Sequence, residues 1–523
     1  MKPLIQFKTI VGVAAISLVS FTLMGCADLD PVDYSEINSE IFPKTENDYT
    51  ELVNECYRSI RSSWFDGLFA TDDRGIVALN DATTEILTAR SYIYKKQHDM
   101  NWTSVDDYLV GFYYTEKDPS GGGYRDGFAN DISRCTSNLS YINQSTTLSE
   151  TQKKKMAAEV RCARGFIAYT LYDMFGPLVI APEELLQNPQ QDKPIPRMTR
   201  EEMVKYIEED LLFAAENLPS PQEAEYGRFS SGLAKMLLIR LYLHETKIDK
   251  NYYTKVEQVA RELMQPTNGY QLQPSYTRMF ELDGQGKSNH EIIFAIPVNT
   301  EMVSWNDWHM FCLPSDFASN GMKGGYQSIC STWHFYDSFE PNDTRRTYLL
   351  AEYTSNKTGK LVKRGDYPSL DIGPIPMKFG YDADLFNNSG RSKIDPIIYR
   401  YADVYLSLAE ALYRKPNAAA QDKKEALKYI NAIRERAGIA SLDYSDIDTD
   451  DKFVTILLKE RMHEFWCENG GYRADLIRMD KFVEYGKTIN GSIYVDKNKE
   501  VYPLPKSVIT DGKGVVVQNE GYD

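Results

Sequence analysis

Apolar residues recur at helical spacing along much of this chain. Met203, Ile207, Leu211, Ala214 and Leu218 form one stripe. Thr199 and Glu202 precede it as a capping box, in which two side chains satisfy the first free backbone N–H groups, and Pro219 ends it. Residues 155–175 are apolar on nearly all sides (Ala163, Phe166, Ile167, Leu171, Phe175), which predicts a central helix stopped at Gly176-Pro177. Two further pairs share one step. Helices are expected near 231–245 and 252–264, and again near 401–414 and 422–437. In the second pair Tyr401, Val404, Tyr405, Leu408 and Leu412 make one stripe, and Ala426, Tyr429, Ile430, Ile433 and Ala437 make the other, with Gly438 as the stop. Helix hairpins at a similar offset predict tetratricopeptide-like stacking, although the usual repeat consensus is not readable.

Residues 270–395 break this pattern. Proline, glycine, asparagine and aromatic residues are dense, and Gly284-Gln285-Gly286, Gly321 and Gly324-Gly325 read as loops. Glu291–Ile296 is the one clear short strand. The stretch reads as an insertion into a helical scaffold, which is where binding residues tend to sit.

The start of the chain has its own pattern. Lys2 and Lys8 precede an uncharged apolar run from Thr9 to Met24, too short for a spanning helix, and the run ends in Leu23-Met24-Gly25-Cys26. This predicts a lipoprotein signal peptide over 1–25, with Cys26 as the acylated residue. Residues 1–26 hold two lysines and no acid, so the remainder carries 57 bases against 75 acids, a net charge near −18. Such acidity argues against nucleic acid as a partner. The six histidines are scattered and no CxxC pair exists, so neither a metal site nor a cofactor is expected.

Three groups of residues carry candidate chemistry. Glu460 and Glu464 lie one helical turn apart, with Cβ atoms roughly 5–6 Å apart; retaining glycosidases hold two carboxyls about 5–5.5 Å apart. Arg461, Arg473, Asp475 and Arg478 follow closely, beside Phe465 and Trp466. The reading adopted is a buried ion network of Glu460, Glu464, Arg473 and Asp475 that fixes the last helices, with Trp466 in the core. The second group is a set of flat rings beside polar side chains, the combination that suits sugar hydroxyls and C–H faces. It occurs at Trp64 with Asp72, Asp73 and Arg74, extending to Tyr94, and at Trp305, Asn306 and Trp308, extending to Tyr326. Trp305 and Trp308 lie in a polar stretch, so both are expected at the surface. Third, Cys312 and Cys330 bracket a loop, and two readings stay open for them: a disulfide in an oxidising compartment, or two separate buried thiols.

Several separated segments together resemble the SusD/RagB family of nutrient-binding outer-membrane lipoproteins. They are Ala158–Phe166 running on to Tyr172–Gly176, Tyr399–Val404 continuing to Ala409–Ala411, Ile430–Gly438, and Glu460–Trp466 with Arg473–Arg478. Tyr502–Pro505 and Gln518–Tyr522 close the match, and Phe339–Arg345 matches in part. Gly470-Gly471 departs from the single glycine more usual there. Asp28 and Asp30 after Cys26 resemble a surface-export signal of Bacteroidetes lipoproteins.

The resemblance implies a mostly α fold: a scaffold of tetratricopeptide-like helix pairs, an irregular loop-rich ligand-binding part and few short strands. The expected divisions are 26–270 (N-terminal helical region), 271–395 (variable ligand-binding region) and 396–523 (C-terminal helical region and tail). It further implies a lipid-anchored, surface-exposed outer-membrane protein without enzymatic activity. Such a protein captures an oligosaccharide or polysaccharide and delivers it to a SusC-like TonB-dependent transporter, with its early loops and middle region meeting at one glycan site. Two other readings stay open: a surface glycoside hydrolase, and a helical-repeat scaffold that binds protein.

Overall fold

The computed structural model describes residues 42–523 except 63–66, 72–74, 114–115, 118–123, 126, 189, 192, 299–304, 320, 383–390 and 523. Cys26, Trp64, Asp72, Asp73 and Arg74 therefore lie outside the described residues, as does the side chain of Tyr94.

Local signals set the first helices. Thr45 and Asp48 form a capping box for α1 (Glu46–Tyr57). Helix α2 (Phe128–Gln144) is followed by α3 (Glu150–Phe175), which Ser149 and Gln152 cap and Gly176 ends at φ 73°. From Ala157 onward nearly every α3 side chain is buried, so this helix is the axis of the core. Helix α4 (Arg200–Asn217) starts at the expected Thr199–Glu202 box and buries Met203, Ile207, Leu211 and Ala214. Gly165 lets α3 and α4 close up: a Cβ there would sit 2.9 Å from the Leu211 side chain. Arg164 then grips Asp210 across the same contact with two bonds of 2.7 and 2.9 Å.

The repeats follow. Helices α5 (Ser231–Glu245) and α6 (Tyr252–Leu263) form one pair, and α7 (Tyr401–Arg414) and α8 (Ala420–Arg436) form another. Gly438 turns the chain at φ 80°. Each helix from α2 to α8 packs on the one before it. That ladder includes α6 on α7, which closes over the excursion between residues 263 and 401. Helix α9 (Asp450–Phe465) lies against α7 and α8, and α10 (Tyr472–Arg478) lies against α9.

The sheets named among the described residues have two strands each. β1 (Leu87–Ala89) pairs antiparallel with β3 (Ile329–Ser331). β2 (Ile292–Ala295) pairs antiparallel with β4 (Ile397–Arg400), Ile397 opposite Ala295 and Arg400 opposite Ile292. The second pairing ties the beginning of the loop-rich stretch to its end, at the foot of α7.

The proposed disulfide is absent: Cys312 and Cys330 are free thiols, both buried. Cys312 ends the helix Trp308–Cys312, its sulfur 3.9 Å from the His309 carbonyl, while Cys330 sits inside β3. Each fills core space as a small apolar side chain.

Candidate functional site

Glu460 and Glu464 share one face of α9, as their spacing requires, and both are fully buried. Their partners come from distant segments. Arg345 donates to Glu460 at 2.8 Å while holding Asp343 at 2.7 Å, and Arg434 reaches Glu460 at 2.5 Å. Arg400 donates to Glu464 at 2.8 Å, to Glu291 at 2.7 Å and to Glu468 at 2.7 Å, and Arg436 also binds Glu464. Burial raises the Glu464 carboxyl, but Arg436, Arg400 and Arg345 outweigh it and hold the group at about 2. A carboxylate so held stays ionised and supplies no proton.

Asp475 belongs to a second cluster. Arg461 donates to it at 2.6 Å and to Asp403 at 2.7 Å, and Arg478 joins it to Glu410. Arg473 does not enter either cluster, contrary to expectation. Its guanidinium donates to the carbonyls of Lys499 and Glu500 at 2.8 and 3.1 Å and lies 4.5 Å from the Tyr502 ring. Trp466 is fully buried, with the Lys378 ammonium 4.6 Å from its ring.

Two buried acids escaped the sequence reading. Burial pushes Asp81 and Glu85 up to about 7 each, against hydrogen bonds from the Cys467 amide and the Tyr472 hydroxyl. Their folded values exceed the unfolded ones, so the native state holds their protons more tightly. The stability this gives is complete below pH about 4 and is lost as pH rises to about 7. Each group contributes on the order of 3 kcal/mol over that window. Glu464 works the other way, but only as pH falls below about 4. Buried His309, held at about 4, and His463, held well below the usual imidazole value, oppose the loss at Asp81 and Glu85 up to pH about 6.5. Asp81 is therefore tested by the difference between two proteins: from pH 5 to pH 8 the melting temperature of Asp81→Asn is expected to rise relative to that of the wild type. An equal slope in the variant, followed by calorimetry, would remove Asp81 from the account.

The aromatic cluster of the middle region divides in two. Trp308 is buried at 1% exposure, its indole N–H donating to the Pro376 carbonyl at 2.7 Å. Asn306 is also buried, bonded to the Ile394 carbonyl at 2.9 Å and accepting from the Trp308 amide at 3.1 Å. The expectation that these two face a ligand is corrected: the asparagine braces backbone and the tryptophan fills the core. Trp305 and Tyr326 are different. Trp305 is half-buried, with the Arg391 guanidinium 3.4 Å from its ring centre. Tyr326 is 65% exposed, resting edge-on against Phe311, and its amide donates to Met310 of the helix that follows Trp305.

Backbone bonds bring the early loop to this place. The Trp305 amide donates to the Ser62 carbonyl at 2.7 Å, and the Ser62 hydroxyl returns a 2.6 Å bond to the Trp305 carbonyl. The Asp307 amide donates to the Thr71 hydroxyl at 2.7 Å. Ser62 and Thr71 flank Trp64 and precede Asp72, so both ends of that loop are clamped to the Trp305–Asp307 segment. Sequence reasoning missed Asp307 and Arg391. Arg391 donates to one Asp307 oxygen at 3.3 Å, and the other oxygen is buried without a hydrogen-bond partner among the described residues. The only sequence signal for Asp307 is its place between two tryptophans.

Comparison with known proteins agrees with this architecture. A family model described as "SusD family" matches residues 365–522, and one described as "Starch-binding associating with outer membrane" matches residues 33–243. "SusD-like protein P2" of Formosa agariphila is 23% identical over 96% of this chain and 97% of its own. "Starch-binding protein SusD" of Bacteroides thetaiotaomicron is 22% identical over 73% of this chain and 75% of its own. Among solved structures, surface glycan-binding protein A from Bacteroides thetaiotaomicron in complex with laminarihexaose superposes with a TM-score of 0.69. That match has 18% identity and covers 91% of this chain and all of the other. The helix ladder, the inserted loop-rich stretch and the two matched segments agree: the chain belongs to the SusD/RagB family.

Proposed function

We propose that this chain is a non-enzymatic carbohydrate-binding lipoprotein of the outer membrane, anchored through Cys26, that captures a glycan at the cell surface and passes it to a SusC-like TonB-dependent transporter. The observation that carries the binding role is the clamp of the 62–71 loop onto the Trp305–Asp307 segment. It holds Ser62 and Thr71 on the segment of half-buried Trp305, with exposed Tyr326 one short helix away. The matched outer-membrane starch-binding family and the laminarihexaose-bound relative support carbohydrate as the ligand. A glycosidase reading loses its best acid pair, because arginines occupy both Glu460 and Glu464 inside the protein.

Trp305 gives the direct test. Its backbone amide and carbonyl make the loop clamp, so Trp305→Ala keeps both anchors and removes only the ring. Binding to the best ligand of a glycan panel is expected to weaken at least tenfold, about 1.4 kcal/mol, at an unchanged melting temperature. Titration calorimetry showing wild-type affinity in this variant would remove Trp305 from the binding face.

A further inference from the structure

A cleft of about 340 Å³ opens beside β2, between the loop joining α4 to α5 and the turns at Gly269 and Gly286. That volume falls in the range of small-molecule sites. Its wall holds two half-buried tyrosines, each fixed by a contact behind it. The Tyr226 hydroxyl donates to Asp395 at 2.8 Å, and the Tyr270 ring stacks on Tyr401 at 5.7 Å. The cations of the lining are already engaged. Lys287 donates to the carbonyls of Pro221 and Ala224, and Arg228 donates to Glu159 at 2.6 Å. Besides exposed Glu225 and His290, the cleft offers a ligand ring faces, amides and backbone, a set suited to a polyhydroxylated molecule, and with its lysine and arginine engaged it favours a neutral one over an anion.

The cleft is joined to Trp305 by one short segment. Arg391 stacks on the Trp305 ring, the Ser392 amide donates to the Asn306 carbonyl at 2.8 Å, and the Ile394 carbonyl accepts from the Asn306 side chain at 2.9 Å. Asp395 then accepts from Tyr226 on the cleft wall and, at 2.7 Å, from the Val298 amide. An extended chain covers at most about 3.6 Å per residue, so Arg391 and Asp395 lie within roughly 14 Å of each other. Several linked sugar rings span that distance.

We propose that this cleft is a second carbohydrate subsite, continuous with Trp305, so that the protein selects neutral oligosaccharides long enough to occupy both. This rests on the carbohydrate reading above. The subsite adds contacts only for long ligands, because a short one fills a single position.

Affinity electrophoresis in gels of starch, laminarin, xylan and galactomannan tests it, followed by calorimetry with the trisaccharide and hexasaccharide of the polymer that retards the protein most. Gln222 is an exposed residue at the cleft mouth, so Gln222→Trp fills the cleft from outside. Gln222→Trp and Tyr270→Ala, each checked for a native melting temperature, are expected to lose at least fivefold in hexasaccharide affinity with trisaccharide affinity unchanged. Trp305→Ala is expected to weaken both ligands. If a folded Gln222→Trp variant binds the hexasaccharide as the wild type does while Trp305→Ala does not, the second subsite is overturned and the carbohydrate reading stands. A wild-type protein retarded by none of the four neutral polymers overturns both.

Discussion

Arg400→Ala is expected to cost about 3–5 kcal/mol of folding stability, the usual effect of removing one partner from a buried ion pair. The side chain is fully buried and donates to five oxygens: one each of Glu291 and Glu464, both of Glu468, and the Glu464 carbonyl. Truncation leaves three buried carboxylates short of positive charge, with Arg436, Arg345 and Lys378 as cations remaining nearby. A lysine cannot reproduce the forked geometry, so Arg400→Lys is expected to fall between the two. Chemical denaturation measures the effect directly. A wild-type midpoint in Arg400→Ala would mean that the cluster relaxes or takes up water, and that its charges hold the helices less firmly than their geometry implies.

Trp308→Ala is expected to be comparably damaging, about 3–5 kcal/mol, the range for emptying a large aromatic site in a core. Its ring meets Phe379 edge-on at 6.0 Å, and its loss also strands the Pro376 carbonyl. Tyr326→Ala is the matched control, since that ring is exposed, and its melting temperature is expected to stay near the wild-type value. The pair separates the two halves of the Trp305–Tyr326 cluster without reference to any ligand. A native melting temperature for Trp308→Ala would return this residue to the surface.

Helices were legible because their signals are local. The Thr199–Glu202 box lies within one turn of the helix it starts, and Gly438 sits one residue beyond the α8 cap. The partners of Glu460 were not legible, because Arg345 stands 115 residues away in the inserted stretch. Nearby arginines in the sequence, Arg461 and Arg478, turned out to serve Asp475 instead. Trp308 was misread for a different reason. Its polar neighbours looked like a surface, yet Asn306, Asp307 and His309 are all fully buried, each bonded to a distant segment at Ile394, Thr71 and Gly380. A polar stretch signals solvent only when its hydrogen bonds are not taken up by the fold.

The ladder of helices passes from α6 to α7 as though the residues between them were not there, and β2, early in the excursion, pairs with β4 at its return. Those residues are in effect a cassette seated in a fixed socket. Lengthening one of its exposed loops twofold costs only about 0.6 kcal/mol in closure entropy, so such a loop can be resized with little penalty to the frame, whereas buried Trp308 and Arg345 tie the rest of the cassette to it. Its buried ion pairs onto the frame, Arg345 to Glu460 and Lys378 to Glu468, are contacts a replacement has to keep. An exchange of that segment would replace Trp305 and Tyr326 together, while the face formed by the repeats stays the same.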